Sequence, residues 1–209
     1  MSGGGQDGGD GTGPVRPRPW TVESSRIEYQ DRFLTHRMDR CITERGNVLD
    51  PFHILEFKGW CHAVALTPAG ELVLVEEYRH GGGAVVRGLP AGTVEPGEDP
   101  AATVARELTE ETGYVADTWI ELPVMWANPA TQTNRAYTYL ALDARPTGTR
   151  NLDPGETIAV VLKPAAEAFR ELMAGGWCTT SLHVASLLMA REYARAHAAE
   201  DPRLAPLAG

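Results

Sequence analysis

The chain has 209 residues, 43% of them apolar, and a formal net charge of -9. That length and apolar content fit one globular core with a smaller appendage. The acidic balance argues against nonspecific attraction to nucleic acid or to an anionic membrane surface. No run is long and apolar enough to span a bilayer, and no internal repeat is present.

Residues 1–19, rich in Gly and Pro, read as a disordered tail without the apolar core of a signal peptide. Residues 20–57 alternate apolar and polar positions in places and turn at Gly46-Asn47, which predicts a small antiparallel sheet ahead of the main domain. WCHAVALT and ELVLVEEY are two further strands, joined by a turn at residues 68–70. Gly81-Gly82-Gly83 is a flexible break; it lacks the G-K-[ST] of a phosphate loop. AVVRGLPAG leads to a helix at residues 100–112, with Asp99 as its cap, Pro100 in its first turn and Gly113 as its stop. TWIELPVMW reads as one strand, NPATQTN as a loop, AYTYLALD as a strand and TIAVVLK as a short buried strand. Residues 165–174 and 181–197 read as helices, the second with Leu182, Ala185, Leu188 and Tyr193 on one side. Residues 198–209 close the chain as a flexible tail. The main domain is then residues 58–197. Cys41, Cys61 and Cys178 are scattered without C-x-x-C spacing, so reduced thiols and a cytoplasmic location are expected.

Residues 92–114, GTVEPGEDPAATVARELTEETGY, carry the most specific signal. On the predicted helix Glu107, Glu110 and Glu111 lie three and four apart and project from one face. Ala101, Ala105, Leu108 and Thr112 form another face that can pack on a sheet. An isolated acidic stretch of this kind is usually a solvated helix face. Here Gly92, Glu98, Arg106 and Gly113 stand in register with it, a match expected by chance on the order of once in 10^8 windows. Three crowded carboxylates need a cation that Arg106 alone does not supply, and hard oxygen ligands suit Mg2+ or Mn2+.

The spacing G-x5-E-x7-R-E-L-x-E-E-x-G-Y resembles the Nudix box, and residues 58–195 resemble a Nudix hydrolase. The resemblance implies an α/β/α sandwich with a mixed sheet, preceded here by the small N-terminal antiparallel sheet. It also implies metal-dependent cleavage of a nucleoside diphosphate linked to another group. The flanks are similar to ADP-ribose pyrophosphatases: a β-rich segment first, E-E-Y-R-H at residues 76–80, L-P-A-G at residues 89–92, and Pro129 sixteen residues after Gly113. Two positions depart from that subgroup. Gly88 stands where glutamate is common, and the loop after Pro129 ends at Asn134 and Arg135 in place of a carboxylate.

On this resemblance ADP-ribose would yield AMP and ribose 5-phosphate. Glu107, Glu110, Glu111 and the Ala91 carbonyl would hold Mg2+, with Arg106 and Glu98 orienting the carboxylates. Catalysis would fall to Glu110, Glu111, Arg106 and Glu156, with Glu156 as general base and Asp153 its rival. Arg79, Pro129, Asn134 and Arg135 would contact substrate. Phe33, Trp60 and Trp126 are candidates for stacking on adenine, although aromatics on strands are more often core. The resemblance also implies a homodimer in which the N-terminal sheet completes the adenine pocket. The alternatives are another nucleotide substrate, such as GDP-mannose or a dinucleotide, and a non-catalytic nucleotide-binding module.

Overall fold

The structure, a computed structural model, describes residues 16–209; the expected tail lies outside the described residues as far as residue 15. Strands β1 (Thr21–Gln30), β2 (Leu34–Ile42) and β3 (Val48–Phe57) form the expected small antiparallel sheet in the order β1-β2-β3. All ten residues of β1 are exposed, so this sheet has an open edge. β3 is tied to the main domain, because the Leu55 N–H donates to Thr131 O at 2.8 Å and the Thr133 N–H to Leu55 O at 3.2 Å.

The remaining strands are β4 (Gly59–Leu66), β5 (Glu71–Arg79), β6 (Ala84–Gly88), β7 (Ala91–Val94), β8 (Tyr114–Val115), β9 (Thr118–Glu121), β10 (Met125–Trp126), β11 (Arg135–Leu142), β12 (Arg145–Pro146) and β13 (Ile158–Pro164). The central sheet runs β10-β11-β4-β5-β13, and the β11–β4 pair is parallel while the rest are antiparallel. β4 and β5 pair only at Ala65↔Val73 and Leu66↔Leu72. Beyond that point they separate: β4 pairs with β7 and β5 with β6. Residues 84–94 fill the split, which places the start of the box between two strands.

Alternation along the strands sends successive side chains to opposite faces. Cys61, Ala63, Ala65 and Val73 meet Val104 and Leu108 of helix α1 (Pro100–Thr112). Val64, Leu66, Leu72 and Leu74 meet α2 (Ala165–Met173), α3 (Ser181–His197) and α4 (Ala205–Ala208) on the other face. The result is the α/β/α sandwich. The bounds of α1 follow from its caps. The Asp99 carboxylate accepts from Ala101 N at 3.1 Å, and Gly113 takes φ +73° while its N–H donates to Thr109 O.

Several expectations need correction. TWIELPVMW is two strands, β9 and β10, because Pro123 has no N–H to continue the ladder. TIAVVLK is the partly exposed edge strand β13, not a buried one, since among the described residues no strand pairs beyond it. His80–Gly82 form a 3-10 turn, capped by Gly83, that joins the β5–β6 hairpin. The packed side of α1 includes Thr103 and Val104. The buried side of α3 is His183, Ser186, Leu187, Ala190 and Ala194, about one residue round from the apolar set the sequence suggests. Polar partners set that rotation: the Ser186 and Thr138 hydroxyls pair at 2.8 Å beneath the sheet.

The C-terminal segment is not a free tail. Residues 202–208 form a 3-10 turn and α4, and Leu204 and Leu207 are buried in the main core. Arg203 fastens the segment through Asp143 at 2.8 Å and Asp201 at 2.7 Å. Ending the chain at residue 200 is expected to cost about 3–6 kcal/mol, the burial of two leucines, seen as a lower denaturant midpoint. A midpoint unchanged from the full chain would show the segment to be dispensable.

Candidate active site

The split between β4 and β5 opens into a cleft of about 650 Å³ bounded by α1, the N-terminal sheet and the loop before β13. Ala91, Glu107, Glu110, Glu111, Arg106, Arg79 and Glu156 all line it, so the structure gathers seven of the ten site residues expected from sequence. Asp153 lines it as well.

Gly92 shows why the box needs glycine there. A Cβ at this position would overlap the Glu107 carboxyl group, so glycine lets α1 press its carboxylates against β7. Glu111 is only 4% exposed, and its carboxylate accepts the Ala91 N–H at 3.1 Å. Burial raises its pKa to about 8, and the charges of Glu107, Glu77 and Glu156 push in the same direction. Burial also raises the Glu107 pKa, against the opposing pull of Arg106. Arg106 sits 2.7 Å from Glu110, 2.9 Å from Glu107 and 3.6 Å from Glu98. It therefore pairs with these three carboxylates and not with Glu111.

Among the described residues no three acidic, imidazole or thiol groups already converge into a metal cage. The donor chemistry nonetheless fits a hard divalent cation: oxygen ligands only, on a rigid helix, around a buried carboxylate whose one hydrogen-bond donor is a backbone N–H. Glu107, Glu110, Glu111 and the Ala91 carbonyl are the residues that would hold it.

The loop bearing Glu156 is anchored to the end of α1. Arg150 donates to Glu111 O at 2.7 Å and Ile158 O at 2.8 Å, Asn151 N to Glu110 O at 3.0 Å, and Thr147 N to Gly113 O at 2.7 Å. Glu156 itself is exposed, and its carboxylate accepts the Asp153 N–H at 3.1 Å. At the other end of the cleft, Phe33 and Trp60 present 64% and 43% of their surface to solvent, with the Arg32 guanidinium 4.5 Å above the Phe33 ring.

Three expected substrate contacts lie elsewhere. Pro129, Asn134 and Arg135 do not line the cleft. Asn134 is buried at the start of β11 with its side-chain oxygen unpaired, and Arg135 covers the ring of Trp126 at 3.4 Å. Trp126, beneath Arg135, does not line the cleft either. The reason is topological: this loop turns toward β3, through the Leu55 hydrogen bonds, and away from β5.

Sequence reasoning missed Glu77, Lys58 and Arg150. Glu77 pairs with Arg79, and burial raises its pKa. Its position two residues before Arg79 on a strand was the available signal, since i and i+2 share a face. Lys58 pairs with Glu95 at 2.7 Å on the cleft rim. Arg150 acts through backbone carbonyls, for which sequence carries no signal.

The sequence model of the NUDIX domain matches residues 59–177. Over 154 residues the chain is 31% identical to the ADP-ribose pyrophosphatase of Mycobacterium tuberculosis, covering 73% of this chain and 74% of that one. Over 88 residues it is 31% identical to the ADP-ribose pyrophosphatase of Bacillus subtilis, covering 42% of this chain and 48% of the other, about half its length. The fold superimposes on the crystal structure of an ADP compounds hydrolase with a TM-score of 0.76 at 20% identity, over 88% of this chain and 98% of that one. The chain belongs to the Nudix family, as a pyrophosphohydrolase. Enzymes of this family use divalent metal ions. None of the helices described here is long and apolar enough to cross a membrane.

Proposed function

We propose that this enzyme hydrolyses ADP-ribose to AMP and ribose 5-phosphate with Mg2+, or Mn2+ in its place. The observation that carries this reading is that the intact carboxylate row, Arg79 and two exposed aromatic rings share one cleft. The relatives that act on ADP-ribose support the same choice.

In this reading the adenine stacks at Phe33 and Trp60, a use of π-faces that rewards planar bases. The diphosphate lies between Arg79 and the α1 carboxylates, where the guanidinium fork suits phosphate oxygens. Glu107, Glu110, Glu111 and the Ala91 carbonyl would hold a divalent cation, which would offset phosphate charge and lower the pKa of the attacking water. Glu156 accepts a proton from that water as its oxygen attacks one phosphorus. The bridging P–O bond breaks, and its electron pair leaves with the other phosphate. Arg106 and Glu98 keep the carboxylates in place, which matters because outer partners tune a metal site.

The test is product analysis with ADP-ribose, GDP-mannose and a dinucleoside polyphosphate, each with and without Mg2+. AMP and ribose 5-phosphate are expected from ADP-ribose at the highest kcat/KM. If GDP-mannose or the dinucleotide is split faster, the substrate assignment falls. If no substrate is split and a nucleotide is still bound, the chain is a binding module.

We also propose that two copies associate through the N-terminal sheet. The fully exposed β1, with Val22, Ile27 and Tyr29 open to solvent, is an uncovered strand of the kind that pairs readily. Sedimentation velocity at micromolar concentration is expected to give a dimer, and a monomer alone would exclude this arrangement.

A further inference from the structure

Gly88, one of the two departures from the subgroup pattern, ends β6 one residue before Leu89-Pro90-Ala91. It is not among the glycines with positive φ, so backbone conformation does not explain it. Space does: a Cβ there would overlap the imidazole of His183, meeting its Nδ1 and Cε1 first. His183 belongs to the first turn of α3 and is held there by Thr180, whose hydroxyl accepts the His183 N–H at 3.3 Å. The same end of α3 is tied to β6 by the Arg87 N–H, which donates to Cys178 O at 2.9 Å.

The His183 ring then meets His62 edge-on, with centroids 5.1 Å apart and planes at 83°. Both rings are buried, and among the described residues the Nδ1 atoms of both have no hydrogen-bond partner. Two leucines would fill such a space without burying unpaired nitrogens, which cost free energy. His62 is the register partner of Ala91 across β4 and β7, and the next residue, Ala63, donates its N–H to Pro90 O at 2.9 Å. The Ala91 N–H in turn reaches Glu111 at 3.1 Å. A continuous line of contact therefore runs from the start of α3, through His183, to Gly88 and His62, then to Ala91 and Glu111.

We propose that His183 is a positioning residue for the metal-binding end of the cleft, and that Gly88 is the space that admits it. The ring wedges behind the 88–91 segment and sets where Ala91 stands relative to α1. In this chain the shape of an imidazole from α3 occupies the position that a side chain on β6 would need. The proposal rests on the reading of Ala91 and Glu111 as cation ligands.

The test measures Mn2+ binding, by the loss of the free-ion paramagnetic signal, to wild type and to Gly88→Ala, His183→Ala and the double variant. Thermal unfolding of each protein runs beside it. Gly88→Ala is expected to weaken Mn2+ binding about 100-fold and His183→Ala about tenfold, the range found when supports of a metal site are removed. The double variant should return to the level of His183→Ala alone, because removing the ring also removes the overlap. With both single variants shown folded by their thermal unfolding, recovery of Mn2+ affinity on the second substitution shows that the ring and the added Cβ compete for one space.

Normal Mn2+ affinity in folded His183→Ala would overturn the proposal, as would a double variant weaker than Gly88→Ala. If Gly88→Ala fails to fold, the proposal requires the double variant to fold and to bind as His183→Ala does. Wild type that binds no Mn2+ would instead overturn the metal-site reading itself, before any variant is considered.

Discussion

Replacing Glu111 with glutamine is expected to lower Mg2+-dependent turnover of ADP-ribose on the order of 10^3-fold, as several kcal/mol of charge stabilisation are lost. The substitution keeps the shape and the acceptor that meets the Ala91 N–H at 3.1 Å. It removes the charge and turns one carboxylate oxygen into an NH2 group, which cannot ligate a cation. Turnover close to wild type would eliminate Glu111 from the metal site.

The same variant has a second signature, in stability without metal. The Glu111 pKa is raised by burial from 4.5 to about 8 in the folded chain. The folded state therefore holds its proton more tightly than the unfolded state does. That contribution is fully present below pH 4.5 and is lost as pH rises through about 8. Metal-free wild type should lose stability across this window, by at most on the order of 4 kcal/mol at pH 8. Glu111→Gln carries no ionisable group there and should lack this slope. Metal-free Glu111→Gln should thus melt about 10 °C above wild type at pH 8, and at the same temperature near pH 4.5. Mg2+ should close the gap by stabilising wild type alone. Parallel melting curves across the pH range would mean that Glu111 is not the strained carboxylate of this cleft.

Replacing Glu156 with glutamine is expected to lower kcat about 10^2–10^4-fold, the usual contribution of a general base. KM and Mn2+ affinity should stay near wild type, because Glu156 lies on the loop and not on α1. Glutamine keeps an acceptor for the Asp153 N–H, now at 3.1 Å from the carboxylate, so the loop keeps its turn. Asp153→Asn is the matched control and should retain most activity. An unchanged rate in Glu156→Gln would remove it as the base, and a collapse in Asp153→Asn alone would transfer the role.

The box was readable because its chemistry is local. Asp99, Pro100 and Gly113 set the ends of α1 from their own backbone preferences, and the spacing of Glu107, Glu110 and Glu111 on a helix puts them on one side whatever surrounds it. The longer strands were legible for the same reason, from alternation, although Pro123 split one of them; β6, β7, β8 and β12 were not. The divalent-cation chemistry followed from the carboxylates, and the family from the spacing.

What lay beyond the sequence depends on segments distant in the chain. The Pro129–Arg135 stretch is tied to Leu55 of β3 by hydrogen bonds and does not line the cleft, a placement its position in the chain did not reveal. Leu204 and Leu207 stand in a short Ala- and Pro-rich end without a periodic pattern, and their contacts with α2 and α3 bury them in the main core. The packed side of α3 carries His183 and Ser186 because their partners, His62 and Thr138, come from β4 and β11. Sequence alone determined the helix and its carboxylates, since these rest on contacts within a few residues, and the reaction class came with the family resemblance that their spacing carries. The tertiary structure alone decided which residues share the cleft and why Gly88 is glycine, because those answers require atoms brought together from β4, β6 and α3.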